Sequence, residues 1–451
     1  MTIHSDWGRI LHSKCPDAFL PKIPTNVDFG VGVIDGHLQL MCVNSGLVTW
    51  ERFLQYLFVN PIKKLFEAGC PVVVLCFDSY DTVPIYKSMT QIKRCQKKSS
   101  VDFRPGDDLP LTIPHDTMAF MLNRNFKLKV IDMACALLPS MVLQHMTYDQ
   151  RLIVDYKRVV EYRRANDQTP IPFDGMFPTG ESDIKFARYV DLFGNALVHA
   201  IDGDYMAIAL LYYALRRSTE KKIYIFRQLS QLAPTAAERA ADGEAASGKR
   251  RKLAHTVESK KAKKKTPKCW VDMQMIYSCI AQHVVGAVPG ASSASAVQAM
   301  VVIMLCAGTD FSRPIPLIGP KRIWEAVPEV AGPLLKAVGD GGLNYTVFAD
   351  EVIGELYKSV FARHVSSSAR GFRAVMHELI NMSSLSATTT GRLPSEAQLT
   401  TTLKNINWVV YHYWTVINGP IHAPLDGSNG FVPACQGKGV VYEDLRAVKS
   451  S

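Results

Sequence analysis

Phe29-Gly-Val-Gly-Val-Ile-Asp35, Pro71-Val-Val-Val-Leu-Cys-Phe-Asp78 and Ala196-Leu-Val-His-Ala-Ile-Asp202-Gly-Asp204 share one grammar: a short apolar run that stops on an aspartate. Runs this short and this continuously apolar predict strands buried on both faces of a parallel sheet. Ligands of such sheets sit outside the carboxyl ends of the strands, so carboxylates from distant parts of the chain should converge on one rim. A single aspartate after a strand is usually a turn or cap residue, because its carboxylate bonds nearby backbone so readily. Three runs with the same ending, one doubled as Asp-Gly-Asp, point to a metal site instead.

More acid is supplied at matching places. Gly180-Glu181-Ser182-Asp183 opens an amphipathic stretch through Phe193, which predicts a helix with both acids in its first turn, where the helix dipole favours negative charge. Asp310 follows the apolar run Val297 to Gly308. Together Asp35, Asp78, Glu181, Asp183, Asp202, Asp204 and Asp310 form a set that would repel itself without cations. Oxygen-only ligation selects Mg²⁺, with Mn²⁺ able to substitute.

The order of these acids, the Gly-Glu-x-Asp box ahead of Asp202-Gly-Asp204, and Ala307-Gly-Thr-Asp-Phe311 followed by Leu317-Ile-Gly-Pro-Lys-Arg322 resemble the flap endonuclease/XPG family of structure-specific 5′ nucleases. The resemblance spans roughly residues 28 to 330 around one insertion. It implies an α/β fold: a PIN-like α/β/α nuclease core with a parallel-type central sheet, a helical arch, and a helical C-terminal region. It also implies phosphodiester hydrolysis with two metal ions, in which Asp35 and Asp204 are central to catalysis.

Val83-Pro-Ile-Tyr-Lys87-Ser-Met-Thr-Gln-Ile-Lys93-Arg94 resembles the family's gateway helix, in which a lysine and an arginine face the scissile phosphate. Lys87 and Arg94 are spaced by close to two helical turns, so both fall on one face. There they would stabilise charge building on the phosphate, with Lys93 adding a nucleic-acid contact. The plainer reading is a solvated basic face.

Gly319-Pro320-Lys321-Arg322 predicts a tight turn into a helix whose exposed N–H groups could take a DNA phosphate beside Lys321 and Arg322. The family implies a duplex-gripping turn here, often with a K⁺ ion. Its usual Gly-Ile-Gly reads Leu317-Ile318-Gly319 in this chain. Between Arg94 and Thr179, where the family has its arch, Leu152 to Arg164 is read as a basic helix. Arg163 and Arg164 would guide a single strand from it.

The division expected is 1–110 as the first part of the core with the gateway helix and 111–178 as the arch or cap. Core resumes over 179–227, a disordered basic insertion covers 228–268, the core ends over 269–335 with the helix-two-turn-helix, and 336–451 is helical. Net charge is +10 over 451 residues, yet Lys249 to Lys268 alone carries ten Lys/Arg against one Glu, which leaves the rest near +1. The body must therefore bind phosphate by local placement of charge. The two basic clusters resemble a bipartite nuclear import signal, so a nuclear protein is expected, otherwise a cytoplasmic one.

No apolar run reaches membrane-spanning length. The ten cysteines form no Cys-x-x-Cys pair, and several, among them Cys42, Cys76, Cys279 and Cys306, are read as reduced core thiols. His199, on a buried strand, is read as a satisfied core residue. The partners expected are flapped, nicked or branched DNA, in replication, repair or recombination, met by a monomer without a sliding-clamp motif. A 5′-3′ exoribonuclease of the XRN type, a host-shutoff RNase, and an inactive PIN-like scaffold are the alternatives.

Overall fold

The computed structural model describes residues 6–41, 49–78, 101–166, 169–173, 182–200, 202–228, 268–308, 314–339, 342–382, 385–418, 432–433 and 440–441. Nine strands make one sheet: β1 (Phe19–Leu20), β2 (Val31–Asp35), β3 (Val72–Cys76), β4 (Arg151–Asp155), β5 (Val159–Arg163), β6 (Ile171–Pro172), β7 (Ala196–His199), β8 (Ile223–Gln228) and β9 (Lys268–Asp272). Their spatial order is β1-β9-β8-β7-β2-β3-β4-β5-β6. The central run β8-β7-β2-β3-β4 is parallel throughout. Antiparallel pairs extend it on both sides.

Every residue of β2 and β3 is buried, as expected of strands covered on both faces. Alternation then sorts their side chains between two layers. Val31, Val33, Val72, Val74, Ile153, Val198 and Ile225 face one core, which includes residues of the helices Ser182–Phe193, Asp204–Arg216, Met273–Val285, Ser293–Leu305 and Pro320–Ala337. Ile34, Val73, Leu75, Leu152, Val154, Leu197 and Phe226 face the other, with residues of Asn60–Glu67 and Arg124–Leu143. This is a mixed α/β fold with helices on both sides of a largely parallel sheet. Gly32 lets one helix approach closely: a Cβ there would lie 2.8 Å from Leu65 Cδ1.

The aromatic C-terminal stretch is helical, as read, over Glu396–Asn418. It packs against Ser182–Phe193 and Asp204–Arg216. Leu399, Leu403, Ile406, Trp408 and Val409 are buried in the same core as β2 and β3. The C-terminal helices thus complete the first core.

Two expectations are corrected. Leu152 to Arg164 is not a helix but the hairpin of β4 and β5, paired from Arg151↔Arg163 to Asp155↔Val159. Ile153, Val154, Val159 and Val160 are β-branched, and β5 alternates buried Val159 and Glu161 with less buried Val160 and Tyr162, which is strand periodicity. The expected arch region therefore supplies sheet strands along with the helix Arg124–Leu143. Cys279, read as a reduced thiol, is joined to Cys15, with Cα atoms 6.5 Å apart. Tertiary structure brings together two cysteines 264 positions apart, a pairing that no local spacing announces. Cys70, Cys76, Cys269 and Cys306 are buried free thiols, as expected for core cysteines. Among the described residues, no helix is long and apolar enough to cross a membrane.

Candidate nuclease site

Strand register aligns the carboxyl ends of β2, β3 and β4: Asp35 pairs with Cys76, and Cys76 with Asp155. Alternation directs Asp35 and Asp155 to the face of Val33, Val74 and Ile153, where the helix Ser182–Phe193 lies. Asp78 follows β3, and Asp204 starts the helix Asp204–Arg216 after β7. Asp35, Asp78, Asp183 and Asp204 are all buried, and Asp202 is partly exposed.

One direct contact joins two of the acid-bearing segments. The backbone N–H of Ser182 donates to Asp78 Oδ1 at 2.9 Å, which seats the start of the helix Ser182–Phe193 against the end of β3. The Asp78 N–H donates to His37 Nδ1 at 3.2 Å, and the same nitrogen lies 3.9 Å from Asp78 Oδ2. Asp204 N donates to Asp202 Oδ1 at 3.1 Å, closing the Asp-Gly-Asp turn. Gly36 follows Asp35 at a place where a Cβ would meet the Phe77 ring at 2.4 Å, so only glycine admits this close approach.

The electrostatics show the same convergence. Burial raises the Cys76 thiol well above its ordinary value; Asp155, Asp35 and Asp78 raise it further, against Lys185. Burial likewise raises the Tyr205 phenol, reinforced by Asp35 and Asp183. Tyr205 thus stands in the field of two carboxylates that are far apart in sequence. Burial pulls the Arg227 guanidinium down, opposed by Asp202, Cys269 and Asp204. Arg227 is therefore the buried cation beside the Asp-Gly-Asp turn, a role that the sequence reading missed.

Asp155 and Lys185 were missed as well, although the signal was present. Arg151-Leu-Ile-Val-Asp155 is a fourth apolar run ending on aspartate, hidden by the helical reading of that stretch. Both side chains are fully buried, with Lys185 Nζ 2.7 Å from Asp155 Oδ1. Burial raises the Asp155 carboxyl, while Lys185 and the Tyr189 hydroxyl, which donates at 2.9 Å, hold it down.

Among the described residues, no three His, Cys, Asp or Glu side chains form a group that could hold a metal ion. Glu181 and Asp310, two of the seven expected ligands, lie outside the described residues, as do Lys87, Lys93 and Arg94. His199 is satisfied as expected, though by accessible surface it is only partly buried. Its Nδ1 accepts from Gln39 Nε2 at 2.8 Å, and its ring stacks on Phe226 with centroids 4.5 Å apart.

The Gly-Pro turn opens a helix, as expected. Gly319 caps the helix Pro320–Ala337, with Pro320 in its first turn. Lys321 and Arg322 are exposed and lie 4.0 and 3.7 Å from Glu325. Leu317, where the family has glycine, has φ +65°, the left-handed backbone that glycine adopts without strain. Arg163 ends β5 and Arg164 follows it, so neither lies on a helical arch. Arg163 pairs with Glu161, and Arg164 donates to the Met146 carbonyl at 2.9 Å and lies over the Tyr148 ring.

A cleft of about 630 Å³ opens among the C-terminal helices, lined by Asp350, Arg370, Arg373 and Glu396 among others, and none of the candidate acids lines it. No protein-family model matches the chain, and no curated protein is significantly similar to it.

Proposed function

We propose that the chain is a Mg²⁺-dependent, structure-specific 5′ nuclease with a PIN-like core, resembling the flap endonucleases and acting on flapped, nicked or branched DNA. The observation that carries this reading is the hydrogen bond from Ser182 N to Asp78, which seats the start of the helix Ser182–Phe193, with Asp183 in its first turn, against an aspartate just past β3, the strand next to the one that ends on Asp35. Carboxylates gathered where buried strands end are the groups a charge-handling site draws on.

The donors are oxygen-only and acidic, the chemistry that hard divalent ions take, although the described acids are not gathered into a ready ligand group. Asp35, Asp78, Asp183 and, from outside the described residues, Glu181 would hold or orient one ion. Asp202, Asp204 and Asp310 would hold the other, with Arg227 sharing their charge. When bound, such ions supply an activated water and offset charge on the leaving oxygen. Lys87 and Arg94 would stabilise the phosphate oxygens, with Lys93 beside them. Gly319, Lys321 and Arg322 would grip duplex phosphates, and a K⁺ ion at that turn is a further expectation from the resemblance.

Purified protein incubated with labelled flap, bubble, nicked and single-stranded DNA, beside matching RNAs, tests the reading. Mg²⁺-dependent cleavage of branched DNA is expected. Cleavage confined to single-stranded RNA would select the ribonuclease alternative, and no cleavage of any substrate would leave a nucleic-acid-binding scaffold.

A further inference from the structure

The peptide unit that joins Phe77 to Asp78 is held at both ends. Its carbonyl, on Phe77, accepts from Lys185 Nζ at 3.1 Å, and its N–H, on Asp78, donates to His37 Nδ1 at 3.2 Å. The Phe77 N–H donates in turn to the Asp155 carbonyl at 2.8 Å. The Asp78 carboxylate accepts from Ser182 N, three residues before Lys185 on the same helix. With this peptide plane fixed and one carboxylate oxygen engaged, Asp78 has little orientational freedom left.

An ammonium this deeply buried needs a counter-charge and further hydrogen bonds. Asp155 supplies the first at 2.7 Å, and Tyr189 satisfies the second oxygen of Asp155 at 2.9 Å. Lys185 and Asp155 are both fully buried, so the pair cannot contact substrate. Beyond its counter-charge, the acceptor that this ammonium uses is the carbonyl of the peptide whose N–H belongs to Asp78. We infer that Lys185 is a positioning residue, charge-balanced by Asp155 and Tyr189, that sets the direction of the Asp78 carboxylate through the Phe77 carbonyl. The role of Asp78 itself rests on the nuclease reading; the clamp on its backbone does not.

The single change Lys185→Met strands a buried carboxylate and is expected to unfold more easily. The test therefore uses the double variant Lys185→Met/Asp155→Asn, which removes both charges and leaves an amide oxygen for Tyr189. Amide hydrogen exchange is measured on full-length protein without divalent ions, comparing the segment 72–78 with Val31–Asp35 and Ala196–His199. Loss of one hydrogen bond at the clamp should lower protection of the Phe77 and Asp78 amides by about tenfold, while the two control strands keep theirs. In the wild type Mg²⁺ should raise the melting temperature, and in the double variant the Mg²⁺ concentration giving half that rise should be about tenfold higher. Unchanged protection at Phe77 and Asp78 overturns the positioning role. Absence of any Mg²⁺ response in the wild type counts instead against the nuclease reading, and the exchange comparison still decides the clamp.

Discussion

Ser182 and Asp78, 104 positions apart, are joined by a 2.9 Å hydrogen bond from the backbone N–H of the first to Oδ1 of the second. An otherwise unbonded N–H in the first turn of a helix is a ready anion partner. Here it takes a carboxylate from a different βα unit. One strand end and one helix start, each carrying candidate acids, are thereby joined.

Replacing an acid that holds a cation should have a different signature from replacing one that balances a lysine. Asp78→Asn keeps an oxygen for the Ser182 N–H but loses the charge. Cleavage should fall by roughly 10²-fold or more, with the melting temperature unchanged or raised, because neighbouring carboxylates repel less. Asp155→Asn strands the buried Lys185 ammonium and should cost about 3–5 kcal/mol of stability. Denaturant titration of both variants beside cleavage assays checks this, and a destabilised Asp78→Asn of normal activity would show the assignment to be wrong.

Duplex gripping can be separated from strand threading at the Gly-Pro turn. Lys321 and Arg322 are exposed, and their only described ion-pair partner is Glu325 on the same helix, so Lys321→Ala/Arg322→Ala should barely change stability. Binding to a nicked or flapped duplex should weaken, and its salt dependence should drop by up to about two phosphate contacts. Single-stranded binding should stay the same. Equal activity of wild type and double variant on flapped duplex would remove the flap-endonuclease assignment but leave a two-metal nuclease standing.

His199 makes stability depend on pH. Burial first, then Lys268, lowers its pKa from 6.5 to about 4 in the folded protein. The folded state therefore binds fewer protons than the unfolded state, so the contribution is complete above 6.5 and is lost as pH falls towards about 4. A shift of this size corresponds to about 3 kcal/mol. Urea titrations of wild type and His199→Asn, at neutral pH and near pH 4, should show a smaller acid loss in the variant. Identical losses in both proteins would mean that His199 is protonated in the fold.

Excising the basic segment should leave the fold intact. Gln228 and Lys268 are direct partners in the β8–β9 register, so the chain leaves and re-enters the sheet at one point. Joining them through an Asn-Gly hairpin turn suits that geometry, and the melting temperature should not fall. A fluorescent fusion of the shortened protein should shift from nucleus to cytoplasm in a eukaryotic cell. Unchanged distribution would dispose of the import reading, and a large loss of stability would dispose of the hairpin junction.

Local sequence determined much of this protein. Continuous apolar runs of four or five residues marked β2, β3 and β7 because a doubly covered strand has no polar face, and the aspartates after them marked the rim where strands end. The Gly-Pro turn and the helix after Asp183 were legible for the same reason: caps and periodicity act within a few residues. What failed was also local. Leu152 to Arg164 has charges that suit a helix face, yet its β-branched, alternating residues pair as the β4–β5 hairpin, with β4 docked on β3. Tertiary structure alone decided the rest. The Cys15–Cys279 bridge, the placement of Arg227 beside Asp202 and Asp204, and the burial of Lys185 against Asp155 each join residues from different elements. Their energies depend on removal from water, which no window of sequence reports and which the closed fold sets.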